Sequence, residues 1–293
     1  PRTDTTTERI WLDTTTGDSK PEPAPEIPDF SDALISSFDF TGNTDKERLS
    51  DKATNGSSKD TVRPVGDGCT LRDSSLYISD AASSYAMIEA GADSDFSNLG
   101  NTTLVCKVMI SDGVNNSAVA GILSQKGTYT LYFSNGTLKR RVNLSYHVGE
   151  EKKTLESLSE TPVDVWRVFA ITTRADPATG SGYITVWRST CETPTSGKDF
   201  EKIFAQSVSG ADATLLRSTS PFYLGRRYGD LDRDRGLKSV FRGIKLYNQV
   251  LSTDQLATIV FDSETETVDR EYSSLSQAYA AIETVSRDAA LSD

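Results

Sequence analysis

The sequence predicts an all-β protein: one two-sheet antiparallel sandwich carrying an extended N-terminal arm and a short C-terminal helix. Three observations predict it. From Leu34 to Phe261, short apolar runs alternate with period two between turn residues, and helical periodicity is nearly absent. Ahead of them Pro21, Pro23, Pro25 and Pro28 fall within eight residues, a density that favours extended polyproline II over any packed element. Behind them, from Tyr272 to Val285, bulky residues return at three- and four-residue steps. A chain of 293 residues can enclose a single large sandwich core. The division is therefore an arm and proline-rich linker over 1–30, the sandwich over 31–262, and a linker and helix over 263–293.

In the arm, Ile10-Trp11-Leu12 are the only bulky apolar residues before Ile27. Such a triplet on a tether has two readings: it anchors the chain to a partner, or it folds back on its own sandwich. The first four residues, Pro1-Arg2-Thr3-Asp4, begin no basic-then-apolar pattern, so no signal peptide is read there.

Within the sandwich, the run from Thr102 to Ile110 puts Leu104, Cys106, Val108 and Ile110 on one face, the pattern of a core strand. Thr128 to Phe133 and Thr137 to Leu144 flank Ser134-Asn135-Gly136, and Asn-Gly between alternating runs is a strong hairpin signal. Val165 to Thr172 and Gly182 to Trp187 form a second hairpin around Asp176-Pro177 and Gly180. The alternation places Tyr183 and Trp187 in the core, although either ring would stack a sugar if its face were exposed. Ser252-Thr-Asp-Gln255 is a capping box opening a helical turn or two, with Leu256, Ile259 and Val260 on its buried face. In the last segment Tyr272, Leu275, Tyr279 and Ile282 make a two-heptad seam. It either packs on its own sandwich or joins copies into a homo-oligomer.

Charge and composition exclude several functions. With 42 acidic against 31 basic side chains the net charge is -11, which repels phosphate backbones and anionic membrane surfaces. No apolar run approaches the roughly 20 residues a bilayer span requires. Three cysteines, Cys69, Cys106 and Cys191, allow at most one disulfide pair and no disulfide framework. His147 is the sole histidine, which rules out a His-rich metal site; it reads as surface or structural, following a strand that ends at Ser145-Tyr146. Asp230, Asp232 and Asp234 stand at alternate positions, a spacing that calcium can use. Arg226, Arg227, Arg233 and Arg235 surround them, however, and a salt-bridged loop is the competing reading.

The ordered string of motifs resembles the laminin G-like, concanavalin A-like jelly-roll family over roughly Leu34 to Phe261. Phe38-Asp-Phe40-Thr-Gly42-Asn43 is similar to its opening strand and loop, Ser84 to Ile88 to an early strand, and Val165 to Ala170 to its Trp-containing strand. Phe222-Tyr-Leu-Gly225, Phe241 to Asn248 and the Ser252 capping box resemble its final strands and short helix. Two departures stand out. Residues 147–162 and 188–220 are longer than the family needs, and Arg188-Ser-Thr190 replaces the glycine that usually ends its paired strand.

The resemblance implies a jelly-roll fold and a choice among glycan binding, adhesion and virion assembly. Glycoside hydrolases on this sandwich present Glu-x-Asp-x-x-Glu, which this chain lacks; its densest carboxylate run, Glu264 to Glu271, falls in the linker. The function expected is a non-catalytic virion surface protein, a head-decoration or fibre-like subunit. Its arm would hold capsid or tail proteins, and its sandwich would face outward toward cell-surface glycans. The Arg9 to Gly17 stretch, similar to Trp/Asp/Thr-rich stretches of bacteriophage head and tail proteins, favours it. A secreted, extracellular bacterial carbohydrate-binding or adhesion module is the alternative, and a polysaccharide-degrading enzyme a further one.

Overall fold

The computed structural model describes residues 27–261 except 58, 81, 112–119, 135–139, 149–150, 158, 177, 179–180, 210–215 and 229–235. The arm triplet Ile10, Trp11 and Leu12, the acids Asp230, Asp232 and Asp234, and the seam residues Tyr272, Leu275, Tyr279 and Ile282 lie outside the described residues.

In chain order the strands are β1 (Leu34–Phe38), β2 (Val62–Val65), β3 (Cys69–Arg72), β4 (Ser75–Ile78), β5 (Tyr85–Ile88), β6 (Thr103–Ile110), β7 (Ala120–Gln125) and β8 (Tyr129–Ser134). They continue with β9 (Arg141–Val148), β10 (Glu151–Glu156), β11 (Trp166–Asp176), β12 (Ser181–Ser189), β13 (Phe200–Ser209), β14 (Phe222–Leu224) and β15 (Ser239–Tyr247). A single helical turn, α1 (Asp45–Arg48), follows β1, and α2 (Thr253–Ala257) closes the described chain.

The strands form two antiparallel sheets, as a sandwich demands. One runs β13-β12-β11-β6-β15-β4-β3 with β1 also paired to β15; the other runs β10-β9-β8-β7-β14-β5-β2. Leu104, Cys106, Val108 and Ile110 all face the main core, as their alternation requires, together with Phe169, Ile171, Leu144, Tyr146, Phe222 and Phe241. Both hairpins exist: β8 pairs with β9 from Tyr129↔Tyr146 to Ser134↔Arg141, and β11 pairs with β12 out to Asp176↔Ser181.

The two stretches longer than the family needs supply sheet edges. Residues 147–162 contain β10, which extends the seven-stranded sheet beyond β9, and residues 188–220 contain β13, which extends the eight-stranded sheet beyond β12. His147 consequently lies inside β9, paired with Lys152, and not past its end. Arg188, where a glycine is usual, is buried. Its Nε donates to Glu201 Oε1 at 2.8 Å, and its other nitrogens reach Glu160 O, Thr161 Oγ1 and Ser159 Oγ, which knots the β12–β13 edge to the loop before β11. A buried guanidinium is tolerable only when its donors are satisfied in this way. No disulfide forms. All three cysteines are free thiols, and burial pushes Cys69 up to about 11 and Cys106 up to about 12.

A second, smaller hydrophobic cluster sits on the outer face of the eight-stranded sheet. Val105, Val168, Ala170 and Tyr247 point there, covered by Ala33, Leu251, Leu256 and Phe261. The predicted capping box is present in full: Gln255 N donates to Ser252 Oγ at 3.2 Å and Ser252 N to Gln255 Oε1 at 3.0 Å. The helix ends at Ala257, so Val260 does not share its buried face as expected; it is 59% exposed, and Phe261 enters the cluster instead. Tyr183 and Trp187 also depart from the expected core packing. Both project from the outer face of β12, Tyr183 exposed and Trp187 half-buried at the cluster's rim with Lys202 Nζ 5.1 Å from its ring centroid.

Candidate functional site

The outer face of the seven-stranded sheet is built differently. Ala86, Ile88, Phe222, Leu224, Leu131 and Leu144 turn inward, so their neighbours turn outward. Cross-strand register then lines up one row across all seven strands: Arg63, Met87, Tyr223, Ser124, Thr130, Ser145 and Thr154. Three hydroxyl residues occupy its centre. Ser124, Thr130 and Ser145 are buried, and Ser124 Oγ lies 3.0 Å from Thr130 Oγ1.

Part of that burial comes from the segment after β14. Gly225 takes φ 69°, a left-handed conformation that glycine accepts readily, and turns the chain back over its own sheet. The backbone then crosses directly above Gly121 of β7. A Cβ at Gly121 would stand 2.3 Å from the carbonyl carbon of Arg226, so no larger residue fits beneath the crossing. Tyr228 N donates to Ser124 Oγ at 3.0 Å, and Arg226 bridges to Gly236 as the chain returns.

The crossing segment sends its two arginines to opposite sides. Arg226, almost fully buried, stacks on Tyr85 with its guanidinium carbon 5.1 Å from the ring centroid, and one of its nitrogens donates to Ala82 O at 3.3 Å. Tyr85 in turn meets Tyr223 at 5.8 Å between centroids. Arg63 closes this end: it contacts Glu89 at 3.0 Å and donates to Met87 Sδ at 3.1 Å. Burial raises the Tyr223 hydroxyl, with the neighbouring Tyr85 and Glu89 adding to it and Arg226 opposing. Arg227 lies over Tyr228, 6.0 Å from the ring centroid, and its charge also reaches Tyr132. Burial, with the charge of Glu156 behind it, raises Tyr132, while Asn143 and Thr154 bond to its hydroxyl and oppose the shift.

The face is thus a polar floor of hydroxyls between two tyrosine-arginine flanks, Tyr85-Tyr223-Arg226 on one side and Tyr132-Asn143-Arg227 on the other. Chemically its accessible part offers the rings of Tyr85 and Tyr223 for C–H groups and the side chains of Arg63, Glu89 and Thr154 for hydroxyls, while the buried floor hydroxyls bond among themselves and to the crossing segment. Among the described residues its outward carboxylates Glu89 and Glu156 stand at opposite margins. Five strand spacings of about 4.8 Å separate their strands, roughly 24 Å, against the 5–10 Å that paired-carboxylate hydrolysis needs.

A second concavity, about 480 Å³, opens at the end of the sandwich where Asp93, Asp95, Ser57, Asn98 and Asn248 meet. Asp95 there accepts from Ser57 N at 3.2 Å and Ser57 Oγ at 2.6 Å. It contains no aromatic ring. Among the described residues no group of three or more His, Cys, Asp or Glu side chains is arranged to hold a metal ion.

Of the four arginines read as neutralising the Asp230 loop, Arg226 and Arg227 stack on tyrosines, and Arg233 and Arg235 lie outside the described residues. Sequence reasoning missed this face, since its residues come from seven strands and only the register joins them.

No protein-family model matches the chain, nor does any curated protein sequence. Solved structures do match. The botulinum neurotoxin serotype D binding domain is 18% identical with a TM-score of 0.53, the alignment covering 80% of this chain and 53% of that chain. The likeness is one of fold. A botulinum neurotoxin type C structure, whose cell entry is described as dependent upon interaction with two ganglioside molecules, matches at 12% identity and TM-score 0.53, over 80% of this chain and 52% of that chain. The binding domain of botulinum neurotoxin DC in complex with rat synaptotagmin II matches at 12% identity and TM-score 0.53, with the same coverage of 80% and 52%. The chain spans about half the length of each of these structures.

Proposed function

We propose that this chain is a non-catalytic glycan-binding module that receives a sugar on the outer face of its seven-stranded sheet. The observation that carries the reading is the pairing of Tyr85 and Tyr223 beside the hydroxyl row Ser124-Thr130-Ser145, under the crossing Arg226–Tyr228 segment. A sugar presents apolar C–H faces and a rim of hydroxyls; the Tyr85 and Tyr223 rings offer a partner for the first, and the exposed Arg63, Glu89 and Thr154 for the second. The fold neighbours support it: two are binding domains of botulinum neurotoxins, and the cell entry of botulinum neurotoxin type C is dependent upon interaction with two ganglioside molecules, whose headgroups are oligosaccharides. Among the described residues, the wide separation of Glu89 and Glu156 supports binding without hydrolysis.

In this reading the sandwich faces outward from a virion surface, with Ile10, Trp11 and Leu12 as the anchor to capsid or tail proteins. The resemblance of the arm to bacteriophage head and tail proteins supports that placement, and a secreted bacterial adhesion module would use the same sugar face. The protein's presence in purified particles tests the placement.

The binding test is a glycan array probed with the labelled full chain and with Tyr223→Ala. A defined subset of oligosaccharides should bind, and the variant should lose at least about tenfold in affinity, the worth of one ring stack. Uniform silence across a broad array, or unchanged binding by the variant, would refute the reading, as would release of reducing ends from any bound polysaccharide.

A further inference from the structure

On the outer face of the other, eight-stranded sheet, the part closed by the second hydrophobic cluster ends at Trp187. From there β12 runs on between β11 and β13, the outermost strand of that sheet. Cross-strand register sets three rows on this face: Ala170-Trp187-Lys202, Thr172-Thr185-Ala205 and Arg174-Tyr183-Ser207. The first row is held in the cluster through Ala170, and all three side chains of the last are open to solvent.

Among the described aromatic residues only Tyr183 is exposed, at 49%. A single exposed ring needs no explanation. Tyr183, however, shares its strand and its face with the half-buried Trp187. Four residues of strand at about 3.3 Å each set the two roughly 13 Å apart. Between them stands only Thr185, with Ala205 beside it on β13, and these short side chains keep the ground between the rings low. No single pyranose bridges that distance, so a sugar ligand that meets both rings is a chain lying along β12.

Charge selects among such chains. Residues 170–174, 183–187 and 202–207 contain no Asp or Glu, in a protein whose net charge is -11. They do carry two cations at diagonal corners of the grid: exposed Arg174 beside Tyr183, and exposed Lys202, whose Nζ lies 5.1 Å from the Trp187 ring centroid. Each ring therefore has one basic group at its side, on opposite flanks of β12. A sugar carboxylate in either place gains a charge-assisted hydrogen bond next to a stacked ring. The cation–π contact it competes with at Trp187 is weak for an exposed lysine, so the ammonium can turn to the sugar.

We propose that the outer face of β12 from Tyr183 to Trp187 is a second glycan site, and that it takes a linear acidic polysaccharide. One sugar lies on each ring, with carboxylates toward Arg174 and Lys202. The site is on a different sheet from the Tyr85-Tyr223 face and does not depend on it.

The test is isothermal titration of the full chain, without divalent cations, with oligomers of galacturonate, of mannuronate, of hyaluronate and of sialate, each set against its carboxyl-reduced form. At least one acidic oligomer should bind, and its reduced form and its monosaccharide should each bind at least about tenfold more weakly. Tyr183→Ala, a change at an exposed position, should lower the affinity about tenfold, the worth of one ring stack. Arg174→Gln/Lys202→Gln should remove most of its salt dependence, and Tyr223→Ala should leave the affinity unchanged. Failure of every acidic oligomer to bind overturns the proposal, as does equal binding of the reduced form or by Tyr183→Ala. Binding lost in Tyr223→Ala and kept in Tyr183→Ala also overturns it, while leaving the other face as the sugar site. On the glycan array, sugars lost by Tyr223→Ala report the first face and sugars lost by Tyr183→Ala the second, so either site can fail alone.

Discussion

On the outer face of the eight-stranded sheet, Val105, Val168 and Ala170 are sealed beneath Leu256 and Phe261; on the outer face of the seven-stranded sheet, Ser124, Thr130 and Ser145 hold comparable central positions. Both sets are buried, but only the first gains from leaving water. A buried hydroxyl returns at best the hydrogen bond it gave up, so the second set adds little stability beyond what apolar residues would supply there. The contrast teaches that one face is closed for structure. The other keeps a polar, tyrosine-flanked surface above its buried hydroxyls, which the sugar-binding reading uses.

The largest effect that would break this comparison is on stability. Leu256→Ala should cost about 2–5 kcal/mol in urea unfolding, since it empties a buried site under the closing helix. Tyr223→Ala on the opposite face should stay within about 1 kcal/mol while removing sugar binding. Equal costs would mean that the seven-stranded face is as structural as the other.

Gly121→Val sharpens the contrast within the sugar face. The added side chain would collide with the Arg226 backbone, so the crossing segment must lift from the sheet. Stability should fall by about 1–3 kcal/mol, and glycan affinity should be lost with the displaced Arg226 stack. Retained affinity would show that the crossing plays no part in binding.

The smallest effect concerns pH, at the end of β1. Asp51 accepts from Ser37 N at 2.8 Å and Ala53 N at 2.9 Å, but burial outweighs these bonds and raises its carboxyl above the ordinary value. The folded state therefore favours the protonated form. This contribution is fully present below the ordinary carboxylate pKa and fades as pH rises through the raised value. Asp51→Asn keeps the acceptor and removes the titration, so its stability should be flatter across that window than that of the unaltered chain. Identical pH profiles from paired urea titrations would refute the assignment.

Much of the scaffold was legible because it rests on local pattern. The alternation from Leu104 to Ile110, the β8–β9 and β11–β12 hairpins and the Ser252 capping box each depend on residues within one element or one turn. The errors share a cause. Tyr183 and Trp187 alternate as core residues would, but period two only divides a strand into two faces and does not say which is inward. Val260 was assigned to a helix that stops at Ala257, a boundary fixed by the entry of Phe261 into the cluster. The edge strands within residues 147–162 and 188–220 were not legible, because whether a segment becomes an edge strand depends on a neighbour offering unpaired backbone groups.

The sequence by itself determined that this chain alternates, turns and pairs antiparallel around one core, since those properties follow from side-chain period and turn chemistry. Only the tertiary structure decided that Arg63, Tyr223, Ser124 and Ser145 stand in one row, and that Arg226 stacks on Tyr85. Register and strand order bring together residues far apart in the chain, and no local pattern encodes them.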